Sequence, residues 1–536
     1  MNPVGLTLVL AAALCLAGCG AGPQRPACPR GETCLEYGNL SDPTSLDPQK
    51  INLTNEQVIL GDLMVGLAED GPDGRPAPGI ARSWETSPDG LVWTFHLRPA
   101  TWSDGRPLTA DDFVYSFRRM LDPRTAAPYA YLLYLLKNGE AVNGGKADPS
   151  SLGVAAPDPG TVVLTLDHPA PYLLEIAKNA AMYPVPRQAI ERFGEAWADP
   201  RHYVSDGPFV PTDWKLGDHI TAVKNPRFYD AARVCVDRID YDPTTDAVSA
   251  ERRVKRGELD INTTIQSNRV AYLRGRGDMK PYVRVHPYLA TVYLPFNTRD
   301  VPALKDRRVR QALSMAIDRE FITGKLLRAG QTPAYAFVPP MTAHYRPGAH
   351  AVWSGWTLGR RQAAARRLLS DAGYGAGRPL SLELKLPNSS DAMLVGPAVQ
   401  ADWKSVGVRA DLVQNEMQIA FQALRIRDFQ VGLASWLADY DDPMTFLNLM
   451  QSRTGQQNYG DYESPAYDAL IQAADHEPDE ARRADLLARA ETIMLADAPV
   501  APLYFTVSRN LVSPRLSGWV DNPIDAHRAR YLCVRG

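Results

Sequence analysis

Ala77-Pro78-Gly79-Ile80-Ala81-Arg82-Ser83-Trp84, Trp93-Thr94-Phe95-His96-Leu97-Arg98, Trp102-Ser103-Asp104-Gly105 and Thr109-Ala110-Asp111-Asp112-Phe113-Val114-Tyr115-Ser116 follow one another in that order. Leu91, Trp93, Phe95 and Leu97 alternate with polar neighbours, the period of a half-buried strand. The run from Trp102 to Gly105 is a tight turn. Thr109 and Asp112 have the spacing of a capping box, and Phe113, Val114, Phe117 and Leu121 supply the apolar face of the helix behind it. A strand, a turn and a capped helix therefore stand together near the start of the chain.

The remainder continues to mix the two kinds of element. Short strands are expected at 35–40, 161–167, 220–223, 259–262, 500–507 and 531–534, and a long extended run at 286–297. Helices are expected at 58–67, 252–260, 359–373 and 480–495, with another opening at Ser464-Pro465, where proline suits the first helical position. Val309, Leu313, Ile317 and Phe321 recur four apart and predict one amphipathic helix over 307–327. Strands and helices alternate without internal repeats, so the class is α/β or α+β.

Residues 4–17 form an apolar core of about 14 residues, too short to span a bilayer and suited to a signal peptide. No Lys or Arg precedes this core. It ends in Leu16-Ala17-Gly18-Cys19, which resembles the lipobox of bacterial lipoproteins and makes Cys19 the lipidated residue. Residues 1–18 are then the signal peptide and 19–34 a Gly/Pro-containing tether. Cys28, Cys34, Cys235 and Cys533 remain, an even number in an oxidising compartment. Three pairings are open; the one taken is Cys28–Cys34 and Cys235–Cys533. No CxxC or HxxxH spacing points to a metal, and no cofactor is implied. The net charge of −3 and interspersed signs argue against nucleic acid as a partner.

The ordered pieces between Ala77 and Ser116 resemble the extracytoplasmic solute-binding proteins of peptide ABC importers, family 5, and most of all its oligopeptide-binding members. The resemblance runs from about residue 35 to the C-terminus. It implies a type II periplasmic-binding-protein-like fold of two lobes with an additional inserted domain. Lobe I would be built from 35–64, 189–289 and 506–536, the inserted domain from 65–188, and lobe II from 290–505. It also implies a monomer, lipid-anchored outside the cytoplasm in the periplasm or at the cell surface. Such a protein hands a peptide to permease and ATPase subunits and performs no catalysis itself.

The binding residues come from the same likeness and from local chemistry. Ala434-Ser435-Trp436-Leu437-Ala438-Asp439 ends an apolar run in a carboxylate, and a buried carboxylate needs a cation or a set of donors. The partner is either structural or a cationic ligand. The family's Trp-x-Ala-Asp-Tyr segment assigns Asp439 to the peptide ammonium and Ser435, Trp436 and Leu437 to backbone pairing. Thr54, Tyr129 and Tyr293 would line the cavity, as would Asn388 in Pro387-Asn388-Ser389-Ser390-Asp391. Core packing for the aromatic residues, and an Asx turn for Asn388, remain the structural alternatives.

The sequence departs from the family at Leu327, Met393 and Leu433, which stand where relatives carry cationic or imidazole groups for the peptide carboxylate; Arg425 lies near a further such position. Murein peptides, or another amine-bearing solute, are the alternative ligands. A secreted peptide hydrolase is the competing class, although no GxSxG, HExxH or Walker motif is present.

Overall fold

The computed structural model describes residues 27–263, 265–345 and 348–535. Cys19 and the signal peptide lie outside the described residues, as does the first half of the tether. The alternation that opened the chain forms the strand Val92–Leu97, with Trp93, Phe95 and Leu97 buried and the residues between them half-buried. It pairs antiparallel with Ala81–Thr86 on one side and Thr161–Thr165 on the other. The turn closes with a 2.8 Å hydrogen bond from the Gly105 N–H to the Trp102 carbonyl, and Gly105 takes the left-handed φ of +92° that such a turn asks of glycine. The helix Ala110–Leu121 is capped by the Asp112 carboxylate, which accepts from the Thr109 N–H at 2.8 Å.

Among the described residues, the largest sheet has nine strands. Its order is Phe209–Lys215, His219–Lys224, Arg238–Asp242, Cys34–Gly38, Ile261–Asn262, Val500–Val512, Val283–Pro295 and Ala434–Leu437, with Thr332–Pro333 also paired to Val500–Val512. Two members, Val283–Pro295 and Val500–Val512, are 13 residues each and run antiparallel to one another. Thirteen extended residues reach about 43 Å, so the pair passes through more than one core. Val283, Val507 and Leu511 pack with Val254, Val270 and Leu273. Leu294, Ala501 and Leu503 pack with Leu384, Val399 and Trp403.

That second core holds a three-stranded parallel sheet in the order Val408–Asn415, Leu380–Pro387, Val431–Gly432. The helix Ser390–Ser405 joins the first two strands in sequence, and Met417–Arg425 leads to the third. Right-handed crossovers to opposite neighbours place these helices on opposite faces. The crossover direction reverses between Leu380–Pro387 and Val431–Gly432, the topological switch point at the carboxyl end of this sheet.

Several expected boundaries move. The helix expected over 58–67 is Thr54–Leu63, started by Glu56, whose carboxylate accepts from the Asn52 and Leu53 N–H groups at 2.9 Å each. It stops at Met64, whose backbone is extended at φ −140° and ψ 161°. The helix expected over 252–260 is Ala247–Arg256, closed by Gly257 at φ +74°, and the following strand is only Ile261–Asn262. The single helix expected over 307–327 breaks after Ala316, because Ile317 is extended and the Asp318 N–H turns outward to the Asp402 carboxylate at 2.8 Å. Residues 531–534 yield only the two-residue strand Cys533–Val534. No helix of the described residues is long and apolar enough to cross a membrane.

Cys28 is bonded to Cys34 and Cys235 to Cys533, with Cα separations of 5.9 and 5.1 Å. The second bridge spans 298 residues and fastens the C-terminus to the middle of the chain. Replacing Cys235 and Cys533 together by serine should lower the unfolding free energy by about 2–5 kcal/mol, the range for a native cross-link of this kind. Urea denaturation of the oxidised protein and the double variant measures the difference; coincident curves would contradict it.

Candidate functional site

The strand Ala434–Leu437 is the last member of the large sheet, so one of its edges is paired and the other is open. On the paired side it meets Val283–Pro295 antiparallel, with Ala290 opposite Leu437 and Tyr293 opposite Ala434. The Ala438 N–H extends the ladder by one bond, 2.8 Å to the Leu289 carbonyl. At Asp439 the chain turns. Its N–H donates to the Thr445 hydroxyl at 3.1 Å, which also receives the Trp436 indole N–H at 3.4 Å.

Three acids follow within four residues, and their surroundings set them apart. Asp442 is buried and gripped by Arg483, with both guanidinium Nη atoms 2.8 Å from its two carboxylate oxygens. Arg483 also lies 4.9 Å from the centre of the Tyr172 ring, on which Tyr440 stacks at 5.2 Å. Asp441 accepts from the Ala343 N–H at 2.7 Å. Among the described residues the Asp439 carboxylate has a single side-chain partner, the Tyr131 hydroxyl, which donates to its Oδ2 at 2.7 Å. Among the described residues no Lys, Arg or His forms an ion pair with it. The segment thus pins Tyr440, Asp441 and Asp442 to the protein and presents one carboxylate without a counter-charge.

Electrostatics follow from that arrangement. Desolvation raises the Asp439 carboxyl from 3.8 to about 6, against the opposing hydrogen bond from Tyr131. The Tyr131 and Tyr129 hydroxyls are pushed up in turn, first by burial and then by the Asp439 charge. A cation placed against the free side of Asp439 would reverse the shift.

The other expected residues fall in different places. Tyr129 lies beside Tyr131, ring centres 6.0 Å apart, and its hydroxyl accepts from the Gln57 amide at 3.3 Å. Thr54 is exposed at the first position of the helix Thr54–Leu63, one turn before Gln57 and on the same side. Ser435, Trp436 and Leu437 are half-buried on the edge strand. Tyr293 is buried, its ring edge-on to Phe337 at 5.0 Å, in the manner of a core side chain. Asn388 is exposed at the end of Leu380–Pro387, its N–H bonded to the Asn415 carbonyl at 2.8 Å. Leu327 and Leu433 are buried, while Met393 is exposed.

Tyr131 was not singled out from the sequence, nor were Thr445 and Arg483. Pro128-Tyr129-Ala130-Tyr131 offers two tyrosines, and nothing local says which one faces a carboxylate 308 residues away.

Because the folded Asp439 titrates above its unfolded value, the native state holds the extra proton between about pH 4 and 6. Stability falls as the pH rises through that window, and the cost is complete above about 6. Asp439→Asn should therefore raise the thermal midpoint of the ligand-free protein at pH 7.5 and leave it unchanged at pH 4. The gain should be about 1–2 kcal/mol after allowance for the solvent that still reaches this partly buried side chain. Thermal melts at the two pH values check this, and equal midpoints at pH 7.5 would refute it.

Known proteins share this architecture. Residues 75–458 match the family described as bacterial extracellular solute-binding proteins, family 5 Middle. The periplasmic oligopeptide-binding protein OppA of Salmonella typhimurium is 37% identical over 503 residues, 92% of this chain and 90% of that protein. The Escherichia coli murein tripeptide binding protein MppA superposes with a TM-score of 0.84 at 34% identity, covering 94% of this chain and 99% of the other. Burkholderia pseudomallei OppA gives the same TM-score at 31% identity, over 94% and 100%. The likeness read from Ala77 to Ser116 is borne out, and the mixed α/β chain has the two-lobed fold of these proteins. The chain belongs to family 5 of the bacterial extracellular solute-binding proteins.

Proposed function

We propose that the chain captures oligopeptides outside the cytoplasm and delivers them to an ABC permease, with Asp439 holding the ligand's amino terminus. The observation that carries this reading is a desolvated carboxylate with a hydroxyl and no cation beside it, placed directly beyond an open strand edge. A peptide ammonium supplies the missing charge through a charge-assisted hydrogen bond. The open edge of Ala434–Leu437 pairs with the peptide backbone whatever its side chains, the mode of strand addition. Together the two contacts grip what all peptides share. Trp436, Tyr129, Thr54 and Asn388 then border the ligand, and Tyr293 supports the strand from behind.

Lobe I is assigned to 35–64, 189–289 and 506–536, the inserted domain to 65–188 and lobe II to 290–505. The separate four-stranded sheet within 81–165 and the parallel sheet within 380–432 support that division. The protein acts as a monomer, anchored through a lipid on Cys19, and ATP hydrolysis belongs to its partners. Cell-wall peptides are the second reading, favoured by the close superposition on a murein tripeptide binding protein.

Asp439→Ala should weaken binding of a free-amine peptide at least tenfold, since truncating one side of a buried charge pair costs about 2–5 kcal/mol. Calorimetry measures it, and unchanged affinity would remove Asp439 from the site. Wild-type affinity should rise through about pH 6 as Asp439 ionises and fall above about pH 8 as the ammonium deprotonates. Cys19→Ser should move the protein from the membrane fraction to the soluble fraction; continued sedimentation with membranes would contradict the lipid anchor. A murein tripeptide that binds at least tenfold tighter than ordinary peptides would favour the second reading.

A further inference from the structure

A peptide whose ammonium meets Asp439 and whose backbone pairs along Ala434–Leu437 runs antiparallel to that strand, toward Leu433. Six residues separate Asp439 from Leu433, about 20 Å of extended chain. The Leu433 N–H donates to the Lys385 carbonyl at 2.9 Å, so the path ends at the carboxyl edge of the parallel sheet. There the strands finish at Pro387 and Asn415, which are register partners, and the helices Ser390–Ser405 and Met417–Arg425 begin. This rim is where the far end of a ligand of about six residues arrives.

Two features of the rim are unusual for a place that should hold a carboxylate. The first is its surface. Met393, Met417 and Ile419 stand there 42%, 39% and 58% exposed, all within the first turn of one helix or the other. Methionine is flexible and polarizable and suits a surface that must fit many shapes. The second is charge. Helix N-termini attract anions, but both of these are already served by the chain. The Glu416 carboxylate accepts from the Gln418 and Ile419 N–H groups at 2.9 and 3.3 Å. Ser389 caps the other helix at the Ala392 N–H, and Asp391 lies in its first turn.

The cation that reaches this rim, Arg509, is spent on Asp391 at 3.1 Å, and the same Asp391 oxygen also accepts from the Ser267 hydroxyl at 2.7 Å. Arg425 lies at the opposite end of its helix, about 12 Å from Met417. A peptide carboxylate arriving here meets two fixed carboxylates, and among the described residues the nearby cations Arg509 and Lys385 are already paired, with Asp391 and Asp428.

Resting on the assignment of the ammonium to Asp439, we infer that this rim takes apolar peptide side chains and leaves the ligand's terminal carboxylate unheld. The substrate class is peptides of about six residues or longer with bulky apolar residues toward the carboxyl end, amidated or extended forms included. The amino end is read by charge and the far end by shape and hydrophobicity.

The test uses the full-length protein and six-residue peptides with free amino termini. One pair ends in three leucines and the other in three serines, and each is made as the carboxylate and the carboxamide. Calorimetry should show the leucine peptides at least about tenfold tighter, the effect of burying one such side chain, with acid and amide within threefold of each other. Met417→Ser should weaken the leucine peptides and leave the serine peptides unchanged. A tenfold loss on amidation, or equal affinity for leucine and serine peptides, would overturn the inference. An N-acetylated leucine peptide separates the two readings: retained affinity would sink the Asp439 anchor while leaving the acid and amide comparison to judge the rim. Absence of binding by every member would overturn both.

Discussion

The antiparallel ladder between Val283–Pro295 and Val500–Val512 is the constraint on which the rest of the molecule depends. Each strand contributes side chains to separate cores, so the pairing register of one ladder bears on both at once. A one-residue slip would turn every buried side chain outward. The register is held from the side as well as along the strands. Arg319, wholly buried, donates from Nε to the Pro502 carbonyl at 2.8 Å and from Nη1 to the Ser314 carbonyl at 2.9 Å, tying a helix to the ladder through backbone groups. Burial alone would make that guanidinium costly; carbonyl acceptors offset the cost.

The same ladder determines where the sheet ends. Ala434–Leu437 pairs with Val283–Pro295 and ends the sheet. An open edge is ordinarily a hazard for aggregation. Here it is four residues long and ends in charge, which limits what can add to it. Asp439 and Asp442 show how position rather than residue type assigns a role. Arg483 neutralises Asp442 and, with the Tyr172 and Tyr440 rings, fixes the turn. The fixed turn leaves Asp439 desolvated without a cation. That is a standing cost to the fold, and on the proposed assignment a ligand ammonium would offset it, the usual trade between stability and function.

General recognition requires that binding free energy come from groups every ligand carries. On the proposed assignment, one charge contact and one row of backbone bonds would meet that requirement and leave the far end free to be read loosely. The rim at Pro387 and Asn415 has the character of such a loose reader. Its exposed side chains are flexible and apolar, and its helix ends are filled by Glu416 and Asp391. On that reading specificity would arise as much from what the rim repels as from what it attracts.

The strand Val92–Leu97, its glycine turn and the capped helix Ala110–Leu121 were legible from the residues alone, because alternation, left-handed φ and N-capping act within a few positions of one another. The family likeness in those same residues carried the two-lobed fold, and the Trp436-to-Tyr440 segment pointed to Asp439. Other features were decided by partners far away in the chain. The helix over 307–327 breaks because Asp402 takes the Asp318 N–H, and Asp439 meets Tyr131 rather than Tyr129. Tyr293 faces Phe337 in a core, and Leu327 is sealed away while Met393 stays in water. Local sequence determines which conformations a segment favours and which chemistry it carries. Only the packed chain decides which charged group finds a counter-ion, since that depends on which distant side chains fill the space beside it.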